Sequence, residues 1–178
     1  AELLVFPTIT IIPPRDWGEV DAALEKISYY DAVIFTSVNG VRFFFQRMHE
    51  KGMDISCLAD ASVCAIGPGT AARLQERGIR VDLIPDLFQA ESLVEALARA
   101  GIAGKRYLLP RAAEARDVLP EEIVRQGGRI DVVAVYRTES AGSDGEKLKH
   151  LLQHKGIGVI SFTSSSTVRS FMEMMCFP

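Results

Sequence analysis

Two Phe-Thr-Ser tripeptides bring hydroxyl side chains to positions where an anion can bind. One copy spans residues 35–37 and the other spans residues 162–164, and each follows an apolar run and precedes a helical pattern. The unpaired N–H groups and the dipole of a helix N-terminus favour an anion. The alternative is ordinary N-capping, which needs one hydroxyl, whereas the second copy opens five in succession, Thr163–Thr167. Both turns are therefore predicted to bind anions.

A glycine turn, Gly67-Pro68-Gly69-Thr70-Ala71-Ala72, follows a predicted strand and opens a predicted helix. It fits the formal pattern G-x-G-x-x-A of dinucleotide-binding proteins, and Asp86 follows at about the expected 20 residues. That pattern normally belongs to the first turn of its unit, however, and Pro68 removes one backbone donor. Three interpretations remain: a nicotinamide site, a second anion-binding turn on the same helix-terminus principle, or a structural tight turn.

Further side chains have types suited to chemistry. Arg111 ends a short strand, and a guanidinium can bind a carboxylate through two hydrogen bonds. Tyr136 ends a long strand, where a phenol can donate a proton or hydrogen-bond a ligand. The alternatives are a surface arginine and a packed tyrosine with its hydroxyl in solvent. His150 and His154 have the i, i+4 spacing of metal ligands, but no third ligand is nearby in the sequence, which favours a solvated helix face.

These residues are positioned by strand and helix patterns that alternate along the whole chain. Short connections between such elements favour parallel sheets covered by helices on both faces, which is an α/β fold. In such folds ligands bind at the carboxyl ends of the strands, where the helices begin. Gly78 and Gly101 are predicted to close two of the helices. The predicted strands are 9–14, 32–35, 63–66, 81–84, 107–109, 130–136 and 159–162.

An internal repeat indicates two similar lobes, each an α/β unit with a parallel sheet flanked by helices. Residues 14–130 are predicted to form an inserted, complete lobe. Residues 1–13 and 131–178 are predicted to form linker strands and an incomplete second lobe. Beyond the shared Phe-Thr-Ser tripeptide, the pairs that match at the same offset are Val41 and Val168, Arg42 and Arg169, and Phe44 and Phe171.

Composition limits the classes of protein to which the chain can belong. Its 178 residues are 48% hydrophobic and 24% charged, which suffices for a packed core and excludes a disordered chain. The net charge of −3 without a basic block argues against nucleic acid as a partner. The apolar runs are too short to span a bilayer, so no membrane partner is expected. An odd number of cysteines, three, favours a cytoplasmic chain with reduced thiols.

Seven segments, taken in order, resemble the uroporphyrinogen-III synthase family. They are PTITIIPP, YDAVIFTSVNGV, AIGPGTA, QAESLVEAL, YLLPRAAEARDVLP, VVAVYRT and ISFTSSSTV, and they cover nearly the whole chain. The resemblance implies two α/β lobes joined by a two-stranded antiparallel linker, to which Thr8–Ile12 and Ile130–Tyr136 correspond. It also implies that the family's opening strand and helix precede Ala1 and that its closing elements follow Pro178, so the second lobe is expected to be incomplete here.

The resemblance further implies a lyase reaction without a cofactor or a metal. Hydroxymethylbilane, a linear tetrapyrrole with carboxylates on acetate and propionate arms, loses its terminal hydroxyl as water and closes to uroporphyrinogen III. The last pyrrole ring is inverted through a spiro intermediate. By the same resemblance Tyr136 is the candidate proton donor, and Thr70 is a ligand-contacting hydroxyl. The residues expected to bind the substrate are Ser37, Asn39, Gly69, Arg111, Thr163, Ser164, Ser165 and Ser166.

Two other functions stay open on the residues alone. One is a non-catalytic, two-lobed module that binds a small anionic ligand, and the other is a nicotinamide-dependent oxidoreductase that uses the Gly67–Ala72 turn. A cytoplasmic monomer is expected. Fusion to another enzyme of tetrapyrrole synthesis stays open, as does the use of the product for haem, sirohaem or cobalamin.

Overall fold

The structure, a computed structural model, describes residues 3–115, 117–141, 145–154 and 157–175. The chain divides into two compact units. The larger unit is Pro13–Arg137, and the smaller unit is Ala1–Ile12 together with Thr138–Pro178.

The described part of the chain forms five strands and seven α-helices. The strands are β1 Ile9–Ile12, β2 Ala32–Phe35, β3 Ser62–Ala65, β4 Arg106–Ala112 and β5 Arg129–Ser140. The helices are α1 Gly18–Glu25, α2 Val38–Glu50, α3 Pro68–Gln75, α4 Ala90–Arg99, α5 Val118–Arg125, α6 Gly145–Gln153 and α7 Ser165–Met175. Strands and helices alternate through the larger unit, which confirms the α/β class.

The larger unit is built on a parallel sheet. Its strands lie in the order β5-β4-β2-β3, and each neighbouring pair is parallel. Ala32 of β2 is aligned with Ser62 of β3 and with Tyr107 of β4, and Arg106 of β4 is aligned with Arg129 of β5. β2, β3 and β4 therefore end at one edge of the sheet, which is called the carboxyl edge below. β5 crosses this edge near Tyr136 and continues to Ser140, so the predicted end of that strand at Tyr136 is wrong.

Helices cover both faces of this sheet because successive strand residues point to opposite faces. Ile34 belongs to a buried cluster that includes Leu97 of α4 and Ile123 of α5. The next residue, Phe35, packs instead against α2, with ring centroids 5.5 Å from Phe44 and 5.8 Å from Phe45. One strand thus anchors helices on both sides, as expected of a buried parallel sheet.

A charged cluster ties α1 to α2 on the outside of the core. The Arg47 guanidinium donates from Nε and Nη2 to the two carboxylate oxygens of Asp21, at 2.8 and 2.7 Å. Lys51 Nζ lies 3.3 Å from the same carboxylate, and the Arg47 guanidinium lies over the Trp17 ring. These hydrogen bonds from Arg47 hold the pKa of the Asp21 carboxyl below its usual range.

The smaller unit has a small core of its own. Leu148 of α6 and Phe171 and Met175 of α7 form a buried cluster. Ser170 Oγ donates to the carbonyl of Thr8 at 2.6 Å, and the Ala141 N–H donates to the same carbonyl at 3.0 Å. Thr8 precedes β1 and Ala141 follows β5, so the start of β1 lies beside the end of β5. Because β1 and β5 are also hydrogen-bonded neighbours in the sheet, the two strands run in opposite directions.

Two predicted strands are wrong. Residues 81–84 make only an isolated parallel bridge from Leu83 to Cys64. The Asp82 carboxylate accepts the Val63 N–H at 2.9 Å, a donor of β3 that a longer strand would use, and Pro85 follows without an N–H.

Residues 159–162 are the second case. They form no strand, and Val159 is 87% exposed. A β-branched run becomes a strand only when a neighbour pairs with its backbone, and the described residues of the smaller unit place none beside it.

No helix in the described part of the chain is long and apolar enough to cross a bilayer. Of the described cysteines, Cys57 is exposed and Cys64 is buried, and both are free thiols.

We expect Asp21→Asn to lower the free energy of unfolding by about 1 kcal/mol at neutral pH, because Arg47 loses a charged acceptor. The pKa of Asp21 is lowered by folding, so its stabilisation is present above about pH 4 and is lost as the pH falls through the folded-state value. Urea unfolding of both proteins across this range should show the difference shrinking in acid. The exposed Asp60 gives the control, since Asp60→Asn should not change the urea unfolding curve. A stability difference between Asp21→Asn and the unchanged protein that is independent of pH would contradict this account.

Candidate functional site

The carboxyl edge of the larger unit brings together most of the residues that the sequence singled out. In strand order, Tyr136 lies on β5, Arg111 lies on β4, Ser37 follows β2, and the turn 67–70 follows β3. The register aligns Tyr136 with Ala112, next to Arg111. Three residues and one turn that are far apart in sequence thus share one edge because the strands are parallel.

One contact at this edge joins the two hydroxyls of Ser37 and Tyr136. Their oxygens lie 3.1 Å apart, and either can be the donor. Ser37 is also the N-cap of α2, and its Oγ accepts the Gly40 N–H at 2.9 Å. The Tyr136 ring stacks on Phe43 of α2, with centroids 5.9 Å apart and planes inclined by 18°. Tyr136 is only 9% exposed, and its hydroxyl is held in a defined place.

This contact requires α2 to begin very close to β4. A Cβ added at Gly40 would lie 3.0 Å from the carbonyl oxygen of Pro110 and 3.2 Å from Ser37 Oγ. Pro110 is buried in β4, in the middle of the sheet, so its carbonyl has little room to move. Glycine at position 40 therefore lets the start of α2 approach the strand.

Two arginines bring positive charge near Tyr136. The Arg42 guanidinium lies 4.4 Å from the centroid of the Phe43 ring, which itself stacks on Tyr136. Arg42 is exposed and can reach a carboxylate in solvent. Arg111 is mostly buried and pairs with Asp117, the residue before α5. A ligand carboxylate would therefore share Arg111 with Asp117.

The glycine turn forms the start of α3. Gly67 is the N-cap, Pro68 occupies the first helical position, and the Thr70 side chain is buried. Phe88 lies against Gly67: a Cβ added at Gly67 would be 3.3 Å from the Phe88 side chain. Phe88 is nevertheless 62% exposed. The turn thus combines the N–H groups of a helix N-terminus with an exposed aromatic surface.

Thr70 and Tyr136 belong to the two ends of this four-stranded order. β3 and β5 are separated by three strand spacings in the order β5-β4-β2-β3. At about 4.8 Å per spacing, these two strands are about 14 Å apart. The Tyr136 side chain reaches Ser37 after β2, the neighbour of β3, so its hydroxyl lies closer to the start of α3 than its backbone does.

A cavity of ≈ 270 Å³ lies at the opposite, amino edge of the same sheet, and its lining includes Arg106 and Arg129. There the Tyr30 hydroxyl donates to the Asp131 carboxylate at 2.6 Å. Burial, reinforced by this bond, raises the pKa of Tyr30. The bond ties the residues before β2 to β5, and none of the predicted site residues lines this cavity.

The second Phe-Thr-Ser turn lies in the smaller unit, at the start of α7. Ser164 Oγ accepts the Thr167 N–H at 3.3 Å, as Ser37 Oγ accepts the Gly40 N–H. In both copies the serine therefore caps its helix with the N–H three residues further on, which confirms the repeat locally. Ser164 Oγ also lies 2.9 Å from Ser166 Oγ. The predicted residues Thr163 and Ser165 are exposed.

Sequence reasoning missed Phe43 and Phe88 and gave Arg42 no role. The repeat marked Arg42 through its match with Arg169, but nothing in the sequence shows that Phe43 stacks on Tyr136. The rings of His150 and His154 lie close together, with centroids 4.2 Å apart and planes tilted by 50°. In the described ranges no group of three or more His, Cys, Asp or Glu side chains is arranged to bind a metal ion.

Comparison with known proteins gives one consistent result. The family model described as uroporphyrinogen-III synthase HemD matches residues 1–176. The chain is 30% identical to the porphyrin biosynthesis protein HemD of Ruminiclostridium josui, over 98% of this chain and 35% of that protein. It is 32% identical to the uroporphyrinogen-III synthase of Synechococcus elongatus, over 98% of this chain and 66% of that protein. It thus spans between about a third and two thirds of the length of these relatives.

Solved structures agree on the fold. A mutant uroporphyrinogen III synthase from Thermus thermophilus matches with a TM-score of 0.70 at 20% identity, covering 96% of this chain and 67% of that chain. The uroporphyrinogen-III synthetase of Helicobacter pylori matches with a TM-score of 0.57 at 17% identity, covering 94% and 70%. These matches share the α/β fold with a sheet flanked by helices.

Gly40→Ala is expected to lower the free energy of unfolding by about 1–2 kcal/mol, because the new Cβ meets the Pro110 carbonyl. Gly69→Ala is the matched control, since Gly69 lies in the first turn of α3 and a Cβ there meets nothing within 4 Å. Because alanine has a higher helix propensity than glycine, Gly69→Ala should instead raise the free energy of unfolding, by up to about 1 kcal/mol. Denaturant unfolding of both variants shows whether each change raises or lowers the free energy of unfolding. A Gly40→Ala protein as stable as Gly69→Ala would disprove the close approach of α2 to β4.

Proposed function

This chain belongs to the uroporphyrinogen-III synthase family, and we propose that its larger unit supplies the proton donor for closure of a linear tetrapyrrole. In this reaction hydroxymethylbilane loses water and becomes uroporphyrinogen III, with its last pyrrole ring inverted, which makes the protein a lyase of tetrapyrrole synthesis. The observation that carries the proposal is the Ser37–Tyr136 hydroxyl pair, held at the edge of the sheet where helices begin.

The chemical task is the departure of the terminal hydroxyl. Hydroxide is a poor leaving group, so the oxygen needs a proton as its bond to carbon breaks. A phenol is protonated at neutral pH and can give this proton, so that water leaves. The carbon that loses its bond to oxygen becomes electron-poor, and the electron pair of the adjacent pyrrole nitrogen stabilises it. The proton released when the last ring regains its aromaticity then balances the one that Tyr136 has given.

The carboxylates of the substrate fit the charge of the carboxyl edge. The N-termini of α2 and α3 present N–H groups there, through Asn39 in one turn and Gly69 in the other. Arg42 and Arg111 add two guanidinium groups near Tyr136. We propose that acetate and propionate arms bind to these groups.

The pyrrole rings need an apolar surface as well as charge. Phe88 and Leu87 are 62% and 61% exposed, and Phe88 lies beside the Gly67 turn. Exposed apolar side chains next to polar helix ends suit a ligand with flat rings and charged arms. Phe88 is proposed to stack on one pyrrole ring.

Thr70 and Tyr136 take different tasks in this proposal. Thr70 lies in the first turn of α3, beside the Gly67 turn and Phe88, whereas the Tyr136 hydroxyl is held by Ser37 at the start of α2. Tyr136 is assigned to the leaving oxygen, and Thr70 is assigned to a ring further along the chain of the substrate. In the smaller unit Thr163, Ser164, Ser165 and Ser166 are proposed to bind a further carboxylate.

The domain prediction is retained as part of the proposal. Residues 14–130 are taken as the complete lobe, and 1–13 with 131–178 are taken as the linker strands and part of the second lobe. The opposite directions of β1 and β5, deduced from the Ala141–Thr8 hydrogen bond, support a two-stranded antiparallel linker. A cytoplasmic monomer that needs neither cofactor nor metal is proposed as well.

Tyr136→Phe should lower the turnover rate by at least about 10²-fold, because general acid catalysis is worth about 10²–10⁴-fold. The product should remain the type III isomer, because the folding of the substrate does not depend on one hydroxyl. Incubation with hydroxymethylbilane, followed by separation of the type I and type III isomers, measures both quantities. Tyr29→Phe, at an exposed tyrosine, is the control and should keep full turnover.

Two results would contradict the assignment of Tyr136. Turnover close to normal would mean that the proton comes from water or from another group. A folded variant that yields mainly type I product would mean that the hydroxyl positions ring closure.

Phe88→Ser should raise KM by about 5- to 30-fold, since a stacked aromatic contact is worth about 1–2 kcal/mol. kcat should change much less, because Phe88 does not touch the reacting oxygen in this proposal. Val124→Ser removes an equally exposed apolar side chain near the end of α5 and should leave both constants unchanged. An unchanged KM in Phe88→Ser would remove Phe88 from the binding surface.

A further inference from the structure

We propose that Ser37 is a positioning residue that donates its hydroxyl proton to the phenolic oxygen of Tyr136 and thereby directs the tyrosine proton toward the substrate. The role of Ser37 in catalysis rests on the proposed function. The contact itself does not depend on that function, because it joins two side chains of the larger unit.

The direction of this hydrogen bond follows from what else Ser37 binds. A serine hydroxyl has one proton and two lone pairs. One lone pair already accepts the Gly40 N–H at 2.9 Å, at the positive end of α2. An oxygen that accepts a hydrogen bond becomes a better donor, since successive bonds polarise one another. The Ser37 proton is therefore directed at Tyr136, and the single proton of the phenol stays available for a ligand.

The surrounding residues fix this geometry. β5 holds the backbone of Tyr136 through its register with Ala112 of β4. Phe43 stacks on the ring, and glycine at position 40 allows the cap to approach. The phenolic oxygen has little freedom to leave the Ser37 hydroxyl.

A consequence follows for the transfer of the proton. When Tyr136 gives up its proton, the oxygen becomes anionic. The Ser37 hydroxyl then makes a charge-assisted hydrogen bond, which is stronger than a neutral one. The interaction gains strength while the leaving group departs, which is the property required of a group that speeds a reaction.

The second Phe-Thr-Ser turn supplies an internal comparison. Ser164 caps α7 in the same manner, but its hydroxyl contacts Ser166 and Thr167, and no tyrosine among the described residues forms a hydrogen bond with it. Capping a helix does not by itself require contact with a phenol. Ser164→Gly therefore removes a cap of the same kind without touching Tyr136.

A double-mutant cycle tests whether Ser37 acts through Tyr136. Ser37→Gly costs little as a cap, because glycine is tolerated at this position. We expect it to lower kcat by about 10- to 100-fold with little change in KM. In a Tyr136→Phe background the same change should have no further effect on kcat, whereas Ser164→Gly should have the same effect in both backgrounds.

Two further variants separate the cap from the donor. Ser37→Thr keeps both functions and should retain most of the turnover. Ser37→Asp keeps a good cap but offers only an acceptor, so it should stay as slow as Ser37→Gly. The inference is overturned if Ser37→Asp is as active as the unchanged protein, or if Ser37→Gly and Tyr136→Phe are additive with a raised KM, as direct binding of a carboxylate by Ser37 would require.

A measurement without substrate tests the contact independently of the reaction. In protein labelled with carbon-13 at the phenolic ring carbon of tyrosine, the NMR resonance that is absent from Tyr136→Phe belongs to Tyr136, and its chemical shift responds to hydrogen bonds at the phenolic oxygen. Ser37→Gly should move this resonance, because the oxygen loses a donor, and Ser164→Gly should leave it in place. An unmoved resonance in Ser37→Gly overturns the inference even if Tyr136→Phe is slow. A moved resonance with normal turnover of Tyr136→Phe retains the contact and rejects the proposed role of Tyr136.

Discussion

Parallel pairing of four strands is the constraint on which the rest of the larger unit depends. Because β2, β3, β4 and β5 run in one direction, α2, α3 and α5 all begin at the same edge. Their unpaired N–H groups collect there without a separate long-range contact to place each of them. The backbone alone makes this edge favourable for anions, and Arg42 and Arg111 strengthen a preference that the topology has already set.

Within this frame the hydroxyl pair depends on one glycine. A glycine in a helical turn costs about 0.5–1 kcal/mol relative to alanine. At position 40 this cost is explained by the carbonyl of Pro110, whose oxygen would lie only 3.0 Å from a Cβ and would have to shift. The same approach brings the Ser37 cap within hydrogen-bond distance of Tyr136 and lets Phe43 lie against the phenol ring. Local helix stability is thus reduced at a place where the site gains a fixed geometry.

Much of the fold was predictable because its signals are local. The strand at Ala32–Phe35 was predicted at its observed bounds, and the predicted helix ends at Gly78 and Gly101 are confirmed by positive φ values of 77° and 80°. The predicted strand at 159–162 was wrong, because an extended run needs a partner that its own residues do not encode. The contact between Ser37 and Tyr136 was also not predictable, since it joins residues 99 positions apart and depends on sheet order and register.

The two copies of the Phe-Thr-Ser turn show how one local structure can support different tasks. In the smaller unit Ser164 shares its hydrogen bonds with Ser166 and Thr167, so neighbouring hydroxyls can replace one another with little loss. Ser37, the N-cap of α2, has its partner on another element, the phenol of Tyr136 on β5. Binding of carboxylates is a task that tolerates such exchange, because several donors contribute small and similar amounts. Transfer of a proton does not tolerate it, because one oxygen must be in one place when the bond breaks.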